Sequence, residues 1–248
     1  IEERRKDLVG LVLTHAHEDH LGAVAHLWPR LNCPIHATPF AMYLLKRKLS
    51  EAGLLDRVPL HEIEVGGKVQ VGDFGIQYIQ VTHSIPEAHS LAIETSFGTV
   101  VHSGDWKLDP GPMVGPVTDT EALKATGDAG VLALICDSTN ALSPGRSKSE
   151  TEVLESLTEL IGEQKGRVVV TTFASNVARI GSIAKAAAAN GRHVVLSGRS
   201  LHRNVEAAKD CGYLLDAPAF LDDDEAGYLP RENTLILCTG CQGEPRGA

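Results

Sequence analysis

The stretch Thr14-His15-Ala16-His17-Glu18-Asp19-His20 places three imidazoles and two carboxylates within six residues, directly after the apolar residues 8–13. The apolar run predicts a buried strand. Because alternate side chains of extended backbone share a face, His15, His17 and Asp19 are predicted to point into one site. The turn into a predicted helix at residues 22–28 brings His20 beside them. Histidine and aspartate are Zn²⁺ ligands at catalytic sites, and four donors this close can be divided between two ions.

Further donor side chains follow other predicted strands. His83, in Thr82-His83-Ser84-Ile85-Pro86, comes after residues 76–81, and Asp105 comes after residues 99–102. Gly104 permits close backbone approach beside the Asp105 carboxylate. Asp137 ends the apolar residues 131–136. Donors at four separate strand ends together predict one shared metal site.

Apolar strand-like runs alternate with helical patterns along the chain, which is typical of an α/β or layered αββα architecture. Residues 39–53 have helical spacing, with Thr38 as the N-cap and Pro39 at the first helical position. Turn residues separate a series of short predicted strands, which indicates a mixed or antiparallel sheet. These strands are residues 69–71, 76–81, 91–94, 99–102 and 131–136.

A second domain is predicted after the turn-forming residues 138–147. Ser149 followed by Glu152 has the spacing of a helix capping box. Beyond it, strands and helices alternate in a βαβ arrangement. The strands are residues 168–172, 193–196 and 234–238, and the helices are residues 177–190 and 201–209. We therefore predict two domains, residues 1–143 and residues 144–248.

Composition excludes several classes of protein. The 248 residues are 43% hydrophobic and 22% charged, which rules out collagen-like and wholly disordered chains. A formal net charge of −9 argues against a broad phosphate-binding surface, so contact with nucleic acid is expected to be local or to depend on metal ions. No apolar run reaches the roughly 18 residues of a membrane span, and no membrane association is expected. Five cysteines, with Cys136 and Cys238 expected to be buried thiols, indicate a reducing, cytoplasmic environment.

The motifs also resemble a known family. The string His15-x-His17-x-Asp19-His20, with His83 and Asp105 in their contexts, resembles the metallo-β-lactamase superfamily of dinuclear zinc hydrolases. Three further strings are similar to its β-CASP branch, and within that branch to bacterial ribonuclease J. They are Cys136-Asp-Ser-Thr-Asn140, Val170-Thr-Thr-Phe-Ala-Ser175 and Thr239-Gly-Cys-Gln-Gly-Glu-Pro245, in which Cys241 stands where the family is expected to have Ser. The resemblance covers the whole chain.

This resemblance implies a metallo-β-lactamase αββα sandwich with an inserted βαβ-type β-CASP domain. The chain begins with Ile1 and ends after the Thr-Gly-Cys-Gln loop, without the family's N-terminal Asp-rich and Gly-rich motif or its C-terminal histidine motifs. We therefore expect a fragment in which both domains are partial.

The resemblance also implies a metal centre and a reaction. By similarity, His15, His17 and His83 would hold one zinc ion, Asp19 and His20 would hold the other, and Asp105 would bridge the two; manganese is an alternative metal. A metal-bridging hydroxide would attack phosphorus in RNA, in 5′-to-3′ exonuclease and also endonuclease reactions. The predicted catalytic residues are Asp19, Asp105 and Asp137.

The resemblance implies RNA as the partner. It also implies that the complete protein can form a homo-oligomer. Polar and glycine residues after strands of the second domain are predicted to contact RNA phosphates. They are Thr172, Ser175, Asn176, Arg199, Ser200, Gly240 and Gln242. For Ser175 and Asn176 a helix-capping role is an equal alternative, and for Gly240 a turn.

Two other functions stay open at this point. One is a small-molecule hydrolase of the same superfamily, such as a lactonase or thioester hydrolase, although such an enzyme needs no second domain. The other is a non-catalytic RNA-binding or assembly fragment. The intact donors from His15 to Asp105 favour the zinc-dependent ribonuclease.

Overall fold

A computed structural model describes residues 2–241 of the chain. These residues form two compact units. The first contains residues 2–108 and 116–146, and the second contains residues 109–115 and 147–241. The predicted domain limits, 1–143 and 144–248, stay a prediction.

The first unit contains two sheets. Parallel strands β1 (Leu11–Val12), β2 (Ile35–Ala37) and β3 (Leu60–Glu62) form the smaller sheet in that order. The larger sheet has the order β4-β5-β6-β7-β8, antiparallel except for the parallel pair β7–β8. Its strands are β4 (Lys68–Val71), β5 (Phe74–Gln80), β6 (His89–Thr95), β7 (Gly98–His102) and β8 (Val131–Ile135).

Helices of the first unit stand between these strands in sequence. They are α1 (Glu18–Leu21), α2 (Val24–Leu31), α3 (Pro39–Glu51) and α4 (Thr120–Ala129), with short 3₁₀ helices at Glu2–Asp7 and Leu55–Arg57. The buried side chains of α3, such as Phe40, Leu45 and Leu49, recur at helical spacing, which explains why this segment is an amphipathic helix.

Alternation along β5 and β6 explains how the larger sheet is covered on both faces. Ile76 and Tyr78 belong to one apolar cluster, together with Ile63 and Val12 from the region of the smaller sheet. Ile79, which follows Tyr78 directly, points to the opposite face of the strand. It packs in a second cluster that includes Ala122 and Leu123 of α4. β2 is buried along its whole length. The first unit is therefore layered, with sheet against sheet and helix outside.

The second unit is built on a parallel sheet of order β11-β10-β12-β9. Its strands are β9 (Val168–Thr171), β10 (His193–Ser197), β11 (Phe220–Leu221) and β12 (Thr234–Cys238). Its helices are α5 (Glu150–Gly162), α6 (Val177–Ala189) and α7 (Arg199–Asp210), with 3₁₀ helices at Asp223–Gly227 and Arg231–Asn233. α6 connects β9 to β10, between which β12 is paired, and α7 connects β10 to its neighbour β11. These are the βαβ connections that the alternating pattern predicts.

The first turn of α5 contacts the segment of residues 109–115. Ser149 and Glu152 form the predicted capping box. The buried Asp109 carboxylate accepts hydrogen bonds from Ser149 Oγ (2.6 Å) and from the backbone N–H of Glu150 (3.0 Å). The Glu150 carboxylate in turn pairs with Arg179 of α6, Nε to Oε1, at 2.7 Å. These contacts explain why a segment distant in sequence belongs to the second unit.

The sequence-based predictions of fold class are confirmed, with local differences. The mixed α/β architecture and the helices and strands at residues 39–53, 76–81, 177–190 and 234–238 are present, with ends shifted by up to two residues. The expectation that Cys136 is a buried thiol is wrong: it is exposed, and Cys238 is half-buried. All five residues of β8, which include Leu132 and Leu134, are exposed, and β8 has a neighbour strand on one side within the described residues.

Within residues 2–241, no helix combines the length and the apolar character that crossing a membrane requires.

Candidate metal centre

The histidine-rich segment begins where β1 ends and turns immediately into α1. Extended backbone at His17 (φ −65°, ψ 152°) precedes the four-residue helix, and the backbone N–H of His20 donates to the His17 oxygen at 3.1 Å. This turn carries the His20 side chain back toward His15, so that the two ring centroids lie 4.1 Å apart. The predicted convergence of this segment is therefore present in the structure.

The first donor group consists of His15, His17, His83 and Asp105. Ring nitrogens of its three imidazoles lie close together. His17 Nδ1 lies 3.2 Å from His15 Nε2 and 3.0 Å from His83 Nε2. Asp105 Oδ2 lies 3.7 Å from His15 Nε2 and 3.8 Å from His83 Nε2. One atom from each of these four side chains therefore lies within 4.8 Å of the others.

The second donor group shares Asp105 with the first. Asp105 Oδ1, the other carboxylate oxygen, lies 3.3 Å from His20 Nε2. His20 Nε2 also lies 3.5 Å from Asp19 Oδ2. Asp19, His20 and Asp105 can thus contribute one donor atom each within 4.8 Å. The Asp105 carboxylate stands between both groups, with one oxygen facing each.

Hydroxyl groups contact the ring nitrogens that face away from the first group. Thr14 Oγ1 lies 3.0 Å from His15 Nδ1, and Ser84 Oγ lies 3.2 Å from His17 Nε2. A histidine that binds metal through one nitrogen commonly donates its other N–H to a nearby acceptor. These contacts therefore favour a tautomer of His15 that leaves Nε2 available to a metal ion. They favour a tautomer of His17 that leaves Nδ1 available.

The loop after β7 delivers Asp105, and Gly104 allows it to do so. Gly104 has φ +58°, and a Cβ there would lie 2.7 Å from the backbone oxygen of His89. The close approach of these two loops therefore requires glycine. Ser103 Oγ accepts the backbone N–H of Asp137 at 2.8 Å, which joins this loop to the end of β8.

Burial keeps the three histidines of the first group neutral. Desolvation, followed by the charges of neighbouring histidines, lowers the pKa of His15 to about 2. Desolvation and the charge on His83 lower the pKa of His17 to about 4, and desolvation likewise lowers the pKa of His83 to about 4. Metal ligation requires neutral imidazole. Convergent neutral nitrogens next to a carboxylate fit the binding of divalent metal ions.

Asp137 lies at the end of β8, outside both donor groups. Its Oδ1 accepts hydrogen bonds from the backbone N–H (2.9 Å) and the hydroxyl (2.6 Å) of Thr139. These hydrogen bonds lower the pKa of Asp137, to which His83 and His20 also contribute. Asp137 is therefore an ionised carboxylate close enough to the histidines to influence them.

The polar residues predicted for RNA contact share one edge of the second unit's sheet. β9, β12 and β10 are parallel neighbours, so the residues after their carboxyl ends lie along the same edge. Thr172, Ser175 and Asn176 follow β9, Arg199 and Ser200 begin α7 after β10, and Gly240 follows β12. Gln242 lies outside the described residues.

The individual positions at this edge differ. Thr172 is buried, and Arg199 and Ser200 are exposed. The Asn176 side chain accepts the backbone N–H of Arg179 at 2.9 Å, so it caps α6. Thr239, which the sequence did not single out, has a buried hydroxyl oxygen without a hydrogen-bond partner among the described atoms.

Two residues beside the first donor group are not predicted from the sequence. Ser84 and Thr14 were quoted only as neighbours of histidines, although their position next to ligand-type residues was the available signal. His89 belongs to neither donor group: it donates from Nδ1 to the backbone oxygen of Glu87 (2.7 Å) and accepts from the N–H of Gly66 (3.2 Å).

Comparison with known families agrees with the fold. The family model described as the beta-lactamase superfamily domain matches residues 1–125. The chain belongs to the beta-lactamase superfamily. The model described as the beta-CASP domain of ribonuclease J matches residues 165–248.

Curated relatives named ribonuclease J match the whole chain. The chain is 47% identical to the one from Sinorhizobium meliloti and 42% identical to the one from Mycolicibacterium smegmatis, with all of this chain and 44% of each relative covered. It is 41% identical to the one from Thermus thermophilus, with 98% of this chain and 44% of that relative covered. The chain therefore spans less than half the length of these relatives, and the resemblance to ribonuclease J is confirmed.

A solved structure shows the same fold. It is a protein of unknown function from Enterococcus faecalis V583, with a TM-score of 0.63 and 17% identity. The match covers 92% of this chain and 58% of that chain.

Proposed function

We propose that this chain is the metal-binding and β-CASP portion of a ribonuclease of ribonuclease J type, which hydrolyses RNA phosphodiester bonds. The observation that carries the proposal is the placement of Asp105, whose two carboxylate oxygens face two separate donor groups. Relatives that carry the name ribonuclease J along the whole chain support RNA as the substrate.

The proposed metal is Zn²⁺, with Mn²⁺ as the alternative, and two ions in the complete protein. We assign His15, His17 and His83 to one ion, Asp19 and His20 to the other, and Asp105 to both. Two divalent cations held there would supply an activated water and neutralise the oxygens of a phosphodiester.

The chain's own residues have three tasks in this proposal. The neutral imidazoles of the first group present lone pairs without a proton to displace at neutral pH. Asp105 fixes the spacing of the two donor groups. Asp137, an ionised carboxylate to which Thr139 donates, is available to accept a hydrogen bond, and we count it with Asp19 and Asp105 as catalytic.

RNA contacts are proposed along the carboxyl edge of the second unit's sheet. Helix α7 begins there, so its first backbone N–H groups favour phosphate oxygens, and Arg199 adds a positive charge. Thr172, Ser175, Ser200 and Gly240 offer hydroxyl or backbone donors at the same edge. We also propose that the complete protein acts in the cytoplasm, forms a homo-oligomer, and cleaves both from the 5′ end and internally.

The test is cleavage of single-stranded RNA by the full-length protein. A 5′-labelled linear RNA and a circular RNA of the same sequence distinguish exonuclease from endonuclease action. His17→Ala and Asp105→Ala should each reduce kcat/KM by at least about 100-fold, because each removes a donor of the metal centre. Chelator should abolish activity, and added Zn²⁺ or Mn²⁺ should restore it.

The matched control is His26→Ala, which removes an exposed imidazole on α2 that belongs to neither donor group. It should leave the rate unchanged. Cleavage that persists in Asp105→Ala would refute the proposal. Hydrolysis of lactones or thioesters, with RNA left intact, would assign the site to small-molecule chemistry instead.

A further inference from the structure

His83 and Ser84 lie on the loop between β5 and β6. The two strands are antiparallel partners up to the pair Gln80–His89, and the backbone N–H of Val81 donates to the Ala88 oxygen at 2.9 Å. Residues 82–87 therefore form a loop whose two ends are held together by the strand pairing. His83 and Ser84 occupy its outgoing limb, and both contact His17.

Glu87 occupies the returning limb of this loop in an unusual backbone conformation. Its φ is +58°, in the left-handed region, which is unfavourable for a glutamate. Such conformations persist where the surrounding structure determines them. Glu87 is only 4% exposed, so the burial of its carboxylate also carries a desolvation cost. Two unfavourable features at one residue require a compensating contact.

One such contact is made with the first turn of α3. Glu87 Oε2 accepts the backbone N–H of Phe40 at 2.8 Å. Negative charge is favoured at this end of a helix. The residue at the N-cap position, Thr38, makes no side-chain capping bond, and its buried hydroxyl oxygen has no hydrogen-bond partner within residues 2–241. Thr38 is the N-cap residue, as predicted, but its side chain does not cap, and a carboxylate 47 residues away serves this helix end.

The same limb is also tied to the histidine-rich segment. The Glu87 backbone oxygen accepts from His89 Nδ1 at 2.7 Å, and the backbone N–H of His89 donates to the Thr14 oxygen at 3.1 Å. Thr14 in turn contacts His15. Glu87 thus stands where the loop of His83, the segment of His15 and helix α3 are joined.

We propose that Glu87 is a positioning residue for the metal centre. Its carboxylate holds the returning limb of the β5–β6 loop on α3, and this holds His83 at the distance from His17 and Asp105 that a shared ion requires. The inference rests on the metal centre proposed above, and it adds a residue that makes no contact with the ion.

The test measures metal binding, with Co²⁺ as the probe and the full-length protein as the sample. The visible absorption of bound Co²⁺ reports the geometry of its ligands. Glu87→Ala should raise the Co²⁺ dissociation constant by about 10- to 100-fold, the usual effect of losing a group that orients metal ligands, and should alter the spectrum. Glu87→Gln keeps the length and the acceptor oxygen, so it should retain most of the affinity and the wild-type spectrum.

Glu87→Gly separates the carboxylate from the backbone. Glycine adopts positive φ without cost, so this variant relieves the backbone while removing the contact with Phe40. We expect it to bind Co²⁺ as weakly as Glu87→Ala does. Affinity equal to wild type in both variants would overturn the inference, whatever their thermal stability.

The matched control is Ser149→Ala, which removes a helix cap in the second unit. It should lower the thermal midpoint without changing the Co²⁺ spectrum. A wild-type protein that binds no Co²⁺ would refute the proposed function and this inference together. A wild-type protein that binds Co²⁺ but cleaves no RNA would refute only the proposed ribonuclease activity.

Discussion

At the residue scale, the metal centre depends on which nitrogen each imidazole presents. His15 and His17 lie two positions apart, yet one presents Nε2 and the other Nδ1 to the shared space. Thr14 and Ser84 contact the two opposite nitrogens, and each hydroxyl can accept an N–H from the ring beside it. We therefore predict that hydroxyl oxygens outside the donor groups select the tautomers inside them.

Ser84→Ala tests this selection. Loss of the hydroxyl leaves His17 Nε2 without its acceptor, so the tautomer with Nδ1 free is less favoured. We expect a metal dissociation constant about 10-fold higher than wild type. Isothermal titration with Zn²⁺ at neutral pH measures the change. Ser84→Thr keeps the hydroxyl and should bind as wild type does; equal affinity of Ser84→Ala would show that Ser84 does not orient His17.

At the element scale, α5 and α3 show two ways of satisfying the first turn of a helix. In α5 the box formed by Ser149 and Glu152 is local, which explains why the sequence predicted it. In α3 the acceptor is Glu87, which no short-range pattern reveals. Short strands such as β3, which is three residues long, were missed for the same reason, because tertiary pairing and not local sequence defines them.

Asp109 adds a long-range contact to the local box of α5. Its carboxylate accepts from Ser149 Oγ and from the N–H of Glu150, and it is 4% exposed. Asp109→Ala leaves these donors buried without that acceptor, so we expect the second unit to lose about 1–3 kcal/mol of stability. Hydrogen exchange of the first-turn amides of α5 measures the loss directly.

The control for Asp109 is Asp119→Ala, which removes the exposed side chain that accepts the N–H of Ala122 at the start of α4. It should affect exchange in the first unit and leave α5 unchanged. Wild-type protection of α5 in Asp109→Ala would mean that the capping box alone holds this helix end.

At the scale of the whole molecule, buried neutral histidines make stability depend on pH. Burial lowers the pKa of His17, His83 and His89 to about 4, whereas an unfolded chain binds these protons near the ordinary value of 6.5. Between these values the unfolded state binds more protons, so the free energy of unfolding must fall as pH falls. Each such histidine contributes up to about 1.4 kcal/mol per pH unit in this interval.

Urea unfolding of the metal-free protein at pH 7, 6 and 5 measures this dependence. Trp28 and Trp106 both lie in the first unit and report its unfolding by fluorescence. His89→Gln removes one titrating group and should reduce the slope of stability against pH, even if it also lowers stability. A wild-type slope of zero between pH 5 and 6.5 would contradict the burial of neutral histidines.

The density of donors in one short segment made the centre of the site predictable from sequence. Three imidazoles after a strand leave few structural alternatives, and Asp105 and His83 follow strands of the same pattern. Their supports were not predictable, because Ser84 and Glu87 act through contacts that exist only after the β5–β6 loop folds against other elements. The exposure of β8 was likewise not predictable, because it depends on which elements cover the two faces of the strand, and apolar composition does not encode that.

The second unit is discontinuous in sequence, and this has a consequence for synthesis on the ribosome. Residues 109–115 emerge between β7 and β8, yet their partner at Ser149 follows Asp109 by 40 positions. At typical elongation rates that interval lasts roughly 2–8 s. During it, β8 is synthesised while Asp109 still lacks the Ser149 hydroxyl that it later accepts from. Because residues 109–115 lie between two parts of the first unit, no single proteolytic cut could separate the units as intact pieces.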